Sequence, residues 1–383
     1  MSAPGSVPPM RIGIPRERAR GERRVAASPD VVKTYVGWGW DVAVERDAGS
    51  AAGYPDAAYS DLGASITGDA HAAELVLRVG PPAPDELRAI PEGSAIMGFL
   101  DPFVNAPVIQ AALDQKLTAL AVEAIPRTTL AQAMDALSSQ ANIAGYAAVL
   151  HAATATPKLM PMMVTAAGTI APSRALILGV GVAGLQAIAT ARRLGAVVHA
   201  YDIRTETKEQ VESLGAKFVE AVTASADEGG YAQEVGADTQ ALQHAALAPF
   251  VAESDVIVTT AQIPGRQAPL LVTEEMLRSM RPGTVIVDMA AGTGGNVALS
   301  VPDEVVEVDG VTIHGPTNLA SMFPADASRM YARNLLALLQ RMRDKESGEL
   351  TIDLDDEIVG ECAVVADGQA RHPRTVELLV GQR

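Results

Sequence analysis

The chain has 383 residues and carries 30 Lys+Arg against 46 Asp+Glu, a formal charge of −16 at pH 7. At 48% apolar and 20% charged residues, that length provides for two globular domains and argues against wholesale disorder. The acidic balance argues against nucleic acid as a partner. The single Cys362 excludes an internal disulfide framework, and six scattered histidines without HxxxH spacing argue against a histidine-rich metal site, so a reducing, cytoplasmic compartment fits best.

Met1 to Pro9 is small and proline-rich, lacks the basic and apolar regions of a secretion signal, and reads as a flexible tail, with Met10 as an alternative start. Arg11–Ile14, Asp41–Glu45, Leu75–Val79, Ala95–Phe99 and Thr118–Val122 read as strands. Helices fall at Pro29–Val36, opened by Ser28 and Pro29, and at Ala106–Gln115. That rhythm predicts a parallel or mostly parallel sheet covered by helices. A long helix follows from about Met134 to Ala155 and stops at Pro157. Leu159–Ala171 is broken by Pro161, and Ala175–Ala191 by glycines and Gln186. Neither makes the ~20-residue apolar span that a bilayer requires, so no direct membrane span is expected.

A second α/β rhythm begins at Ser173. Strands at Arg174–Leu178, Val197–Asp202, Asp255–Thr259 and Thr284–Asp288 alternate with helices at Val182–Leu194, Lys208–Leu214 and Thr273–Met280. Ala221–Gln240 interrupts it with Asp227-Glu-Gly-Gly230-Tyr231, which is either a functional loop or a surface insertion. The amphipathic helix Ala325–Arg343 presents Met330, Leu335, Leu336 and Leu339. The expected architecture is α/β, with two Rossmann-like domains of parallel sheets and a cleft between them. Residues 10–133 with 344–383 form the first domain and residues 156–324 the second, linked by the long helices 134–155 and 325–343.

Gly179-Val-Gly181-Val182-Ala-Gly184 follows an apolar strand and opens a helix, the context in which a GxGxxG run binds a dinucleotide. Gly179 permits the tight turn, Gly181 lets a pyrophosphate approach the backbone, and Gly184 lets the helix sit close on the strand. Asp202 ends the next strand, where a carboxylate accepts the ribose hydroxyls of an adenosine and repels a 2′-phosphate, which favours NAD(H). Arg204, two residues on past Ile203, is the opposing feature, since an arginine can accommodate that phosphate. The run Arg127-Thr128-Thr129-Leu-Ala-Gln132-Ala-Met-Asp135-Ala-Leu-Ser138 lies between a strand and the long helix. Arg127 and Asp135 could pair and leave guanidinium donors for a carboxamide; equally, Asp135 could cap the helix and Arg127 be solvated. Asp288-Met-Ala-Ala-Gly292-Thr293-Gly-Gly-Asn296 is a second strand-to-loop turn, read either as a wall beside the cofactor ring or as a plain glycine turn. Thr260-Ala-Gln262-Ile-Pro264-Gly reads as a further cofactor wall.

These residues resemble the NAD(H)-binding component of proton-translocating NAD(P)+ transhydrogenase. The likeness rests on PRTTLAQAMDALSSQANIAGY from Pro126, GVGVAGLQAIATARRLGAVVHAYDIR from Gly179, IPGRQAP from Ile263 and IVDMAAGTGGN from Ile286. It implies that NADH bound here passes hydride directly to NADP+ on a separate beta subunit, which binds NADP(H), while a membrane-spanning subunit couples the transfer to proton movement. It further implies a homodimer at the inner face of the cell membrane, and a separate polypeptide because the chain ends at Arg383. By position, Gly179, Gly181, Val182 and Gly184 would hold the pyrophosphate and Asp202 the ribose. Arg127 and Ser138 would position the carboxamide, Asp135 would pair with Arg127, and Gln132 would bridge toward the partner's nucleotide. Tyr231, beside Gly230, matches a mobile-loop tyrosine that folds over cofactor. The family often has AAQNGGN where this chain has Ala290-Ala-Gly292-Thr293-Gly-Gly-Asn296. The sister family is alanine dehydrogenase. Its substrate lysine falls here in Leu77-Arg78-Val79-Gly80-Pro81, its catalytic histidine near Asp101 and its catalytic aspartate at Gly292. No acid–base set is thereby supplied.

Overall fold

The computed structural model describes residues 10–221, 237–262 and 266–381. The chain divides into two compact units, Met1–Gln140 with Ser321–Arg383, and Ala141–Ala320.

Among the described residues, eight strands of the first unit lie in the order Gln369–Ala370, Ala363–Ala366, Thr118–Ala121, Ala95–Gly98, Leu75–Leu77, Arg11–Ile14, Asp41–Glu45 and Ser65–Thr67. The strands before residue 122 pair in parallel, whereas Ala363–Ala366 joins Thr118–Ala121 antiparallel. Side chains alternate across a strand. Ile12, Ile14, Val42, Val44, Leu75, Leu77 and Met97 therefore fill one face, while Val76, Ile96, Ala119, Ala121 and Val364 fill the other with helix Ala106–Asp114. Helix Pro324–Met342 is not the second connector that the sequence pattern suggests. It belongs wholly to this unit, because Tyr331, Leu335, Leu338, Leu339 and Met342 form one stripe buried in the first of those cores. The other long helix, Ala136–Ala155, does pass from one unit into the other.

In the second unit the order is Lys217–Phe218, Val197–Tyr201, Arg174–Leu178, Val256–Thr259, Val285–Asp288, Val311–His314 and Val305–Val308. All of these pair in parallel except the last, which is antiparallel to its neighbour. Both sheets are thus mixed at one edge rather than purely parallel. Arg174–Leu178 has Val197–Tyr201 on one side and Val256–Thr259 on the other, so the chain order reverses there. The crevice beyond the carboxyl end of such a strand is where open α/β sheets take their ligands.

Helix Ala237–Glu253 begins inside the stretch expected as a loop, and an exposed hairpin, Met163–Thr165 with Gly168–Ile170, precedes the second sheet. Among the described residues no helix is long and apolar enough to cross a membrane.

One buried acid sets a pH dependence for the first unit. Glu123 follows strand Thr118–Ala121, and its Oε1 accepts the backbone N–H groups of Leu100 at 2.8 Å and Asp101 at 2.6 Å. Its Oε2 is sealed from water without a hydrogen-bond partner, and burial pushes the carboxyl up from 4.5 to about 8. The folded chain therefore holds a proton that the unfolded chain has released, and stability falls as pH rises from 4.5 to about 8. Glu123→Gln removes that slope, about 1.4 kcal/mol per pH unit across the window. In thermal melts the variant should gain on the parent protein steadily between about pH 5 and pH 8. A constant difference between the two would show that Glu123 does not carry the proton.

Candidate functional site

The three loop glycines of the second unit differ in what the fold asks of them: it demands Gly179 and Gly184 but leaves Gly181 open. Gly179 leaves the buried strand Arg174–Leu178 at φ +97, and a Cβ there would lie 2.7 Å from Thr260 Oγ1 and 2.8 Å from Ala261 N. Thr260 in turn donates its hydroxyl to the Gly179 carbonyl at 3.0 Å. Gly181 caps helix Val182–Arg193, and a Cβ on it would meet nothing within 4 Å. The backbone is thus bare on its open side, next to helix amides that have no intrahelical acceptor. At Gly184 a Cβ would fall 2.0 Å from the Gly179 carbonyl oxygen, so only glycine lets the helix rest on the strand. From behind, Gly145 brings helix Ala136–Ala155 onto the same turn; its Cβ would stand 2.1 Å from the Ala183 carbonyl oxygen. Sequence reasoning reads Thr260 only as the start of a cofactor wall, and its approach to Gly179, like that of Gly145 to Ala183, escapes such reasoning because neither leaves a local spacing pattern.

Asp202, at the end of strand Val197–Tyr201, is 6% exposed. Its Oδ2 accepts the Val180 N–H at 2.7 Å and Arg204 Nη2 at 2.8 Å. Its Oδ1 accepts the Arg204 N–H at 2.9 Å and Nε at 2.8 Å. The carboxylate therefore orders the glycine loop and holds the arginine that sequence reasoning set against it. Ile203, between them, is buried in the core with Leu178 and Tyr201.

The turn after strand Val285–Asp288 is a structural knot. Asp288 is fully buried and accepts the Thr259 hydroxyl at 2.8 Å and the N–H groups of Ala290 at 2.9 Å, Asn296 at 3.0 Å and Val297 at 3.2 Å. Asn296 donates to the carbonyls of Ala261 and Pro269 at 2.9 and 2.8 Å and accepts the Ala261 N–H at 3.1 Å. Gln262 donates to the Met289 carbonyl at 2.8 Å, pinning the neighbouring segment to the same turn. A Cβ at Gly292 would meet only Thr317, at 3.4 Å and beyond, so nothing in the fold demands glycine there.

In the first unit, Arg127, Thr128, Thr129 and Gln132 are exposed; Arg127 and Thr128 lead into the short turn Thr129–Met134, which carries Thr129 and Gln132 and whose Ala131 and Met134 are buried as anchors. Asp135 acts as the cap of helix Ala136–Ala155. Its Oδ1 accepts the Ser138 N–H at 2.8 Å and its Oδ2 accepts the Ser138 hydroxyl at 2.6 Å. The helix starts at Ala136 rather than Met134 for that reason. With its proton committed to Asp135, the Ser138 oxygen is left as an acceptor, the polarity that an amide NH₂ seeks. Arg78 is 2% exposed, with Nη2 3.0 Å from Glu17 Oε2 and Nη1 3.0 Å from Glu86 Oε1. Its charge is answered on both sides from within the fold. Gly230, Tyr231 and Ile263 to Gly265 lie outside the described residues.

The family model described as Alanine dehydrogenase/PNT, N-terminal domain, matches residues 13–144, and that for the C-terminal domain matches residues 148–373. The chain is 47% identical over 377 residues to the first of the parts of NAD(P) transhydrogenase subunit alpha in Rhodospirillum rubrum, covering 95% of this chain and 98% of that one. Among solved structures, transhydrogenase from Sinorhizobium meliloti matches with a TM-score of 0.85 at 43% identity, covering 94% of this chain and 99% of the other. An L-alanine dehydrogenase matches with a TM-score of 0.81 at 26% identity, covering 98% and 100%.

Proposed function

The chain belongs to the alanine dehydrogenase/PNT family, and we propose that it is the NAD(H)-binding component of a proton-translocating transhydrogenase. On this reading NADH bound here gives hydride directly to NADP+ on a beta subunit, leaving NAD+ and NADPH, and a membrane-spanning subunit couples the transfer to proton movement. The chain works as a homodimer at the inner face of the cell membrane.

The reading is carried by what stands at the positions where alanine dehydrogenase would place its chemistry. The lysine region supplies Arg78, already paired with Glu17 and Glu86, the histidine position falls near Asp101, where the sequence has no histidine, and the aspartate position supplies Gly292. Oxidative deamination needs an acid–base group beside the substrate carbon. Hydride exchange between two nicotinamides needs none, and positioning carries the work.

NADH, when bound, supplies the hydride from its dihydronicotinamide ring. The site's residues fit it: Gly181 leaves its backbone open to a pyrophosphate, and helix Val182–Arg193 turns its positive end toward that charge. Asp202 accepts from the adenosine ribose. Arg127 and Ser138 orient the carboxamide, Asp135 holds Ser138 in the accepting state, and Gln132 reaches toward the partner's nucleotide. Thr128, Thr129 and Gln262 complete the contacts.

The test is single-turnover hydride transfer between nucleotide analogues, with the purified chain mixed with a transhydrogenase NADP(H)-binding domain. Transfer is expected, and alanine with NAD+ should give no NADH. Robust NADH formation from alanine, with no transfer to the partner domain, would reverse the assignment. Equilibrium titration should also show NADH binding more tightly than NADPH, because Asp202 repels a 2′-phosphate. Equal affinities would show that Arg204 governs that end of the pocket.

A further inference from the structure

We propose that Arg204 competes with the adenosine ribose for Asp202 and thereby sets how tightly NAD(H) is held and how fast it leaves. The proposal rests on the reading that Asp202 receives that ribose. An ionised carboxylate offers about four lone-pair directions. Asp202 has all four engaged: Val180 N–H and Arg204 Nη2 on Oδ2, Arg204 N–H and Nε on Oδ1. The two backbone donors belong to the glycine loop and the strand end and cannot leave without unfolding them. The two guanidinium donors belong to a side chain that can. A ribose diol brings two O–H donors that need those same two directions, so diol and guanidinium exclude each other.

The exchange has a definite sign. Asp202 is nearly water-free at 7% side-chain exposure, and Arg204, at 18%, is the cation paired with it. Replacing a bidentate, charge-assisted fork by two neutral hydroxyls weakens the binding step by whatever the fork was worth. Arg204 thus lowers affinity for NADH and hastens its release. It also softens the exclusion of a 2′-phosphate, because the displaced guanidinium remains beside Asp202 as a compensating cation.

Arg204→Met keeps the length of the stem and cannot pair. Removing the competitor should tighten NADH binding about tenfold, with the change in the dissociation rate, and leave NADPH no tighter. Arg204→Lys, with a charge but no fork, should fall between, and thermal melts with circular dichroism establish that both variants fold. Weaker NADH binding in Arg204→Met would overturn the proposal by making Arg204 a direct cofactor contact. Unchanged binding would overturn it by showing no competition. Asp202→Asn separates the layers. If it loses NADH affinity while Arg204→Met gains none, competition alone is wrong. If it binds NADH normally, the ribose assignment falls as well.

Discussion

Gly184→Ala should abolish measurable NADH binding and destabilise the second unit by about 3 kcal/mol, the upper end of overpacking costs. The added Cβ would sit 2.0 Å from the Gly179 carbonyl oxygen and 3.3 Å from Thr260 Oγ1. The first of these is backbone, so no side chain can swing aside; helix and strand must part. Parting them moves the helix amides proposed to hold the pyrophosphate and breaks the Thr260 to Gly179 hydrogen bond. Gly181→Ala is the informative companion. Its φ of −81 suits any residue and its Cβ meets nothing, so stability should stay within about 0.5 kcal/mol of the parent. NADH affinity should nevertheless fall, because the methyl occupies the side from which a phosphate approaches. Chemical denaturation and NADH titration of both variants decide the matter. Normal NADH binding by Gly181→Ala would show that the loop does not face the pyrophosphate.

Arg127→Ala and Gln132→Asn should slow hydride transfer about 100-fold, the usual effect of misplacing reacting groups by about 1 Å, with much smaller changes in NADH affinity. Arg127 is exposed just ahead of the turn and Gln132 on it, while the turn is anchored by the buried Ala131 and Met134 and by the Asp135–Ser138 cap, and both substitutions leave those anchors in place. Pyrophosphate and adenosine contacts through Gly181 and Asp202 supply most of the affinity in this account. A group that only positions the ring shows up in the saturated rate, whereas a group that binds equally before and during transfer shows up in the dissociation constant. The measurement is single-turnover transfer at saturating nucleotide with the NADP(H)-binding domain present. Wild-type rates combined with poor NADH binding would make the turn a simple clamp.

What the sequence made legible follows from how local each signal is. The strand, glycine turn and helix from Arg174 to Arg193 are specified within one short consecutive stretch, and Arg174–Leu178 is where sequence reasoning puts it. The long helix was legible but its start was not, because the choice between Met134 and Ala136 depends on which group Asp135 accepts. Two hairpins passed unread although their signals stand in the chain. Asp309-Gly310 and Asp367-Gly368 both turn with positive φ, the Asp-Gly preference of tight hairpins, each directly after a β-rich run, Val305–Val308 and Ala363–Ala366. The Asp288–Asn296 knot was not legible as structure, since a buried carboxylate with four donors and a catalytic one look alike in a string of letters. The pairing of Asp202 with Arg204 could be suspected from their spacing, but that it fills every lone pair is a matter of geometry alone.

The first sheet is assembled from both ends of the chain, and that governs the order in which the protein can be made. The second unit is one continuous stretch, Ala141–Ala320, and can close as soon as it leaves the ribosome. The first unit emerges earlier but cannot be finished then. Its strand Ala363–Ala366, which joins Thr118–Ala121, and the buried stripe of Pro324–Met342 are translated only after the whole intervening unit. At roughly 5–20 residues per second, the nascent first unit waits at least about ten seconds with the Thr118–Ala121 edge unpaired and the core face that Tyr331 to Met342 cover laid open. The later-synthesised domain is thus the earlier to mature. During that interval the N-terminal half presents an unpaired strand edge and an open apolar face together, the two features through which partly folded chains associate wrongly.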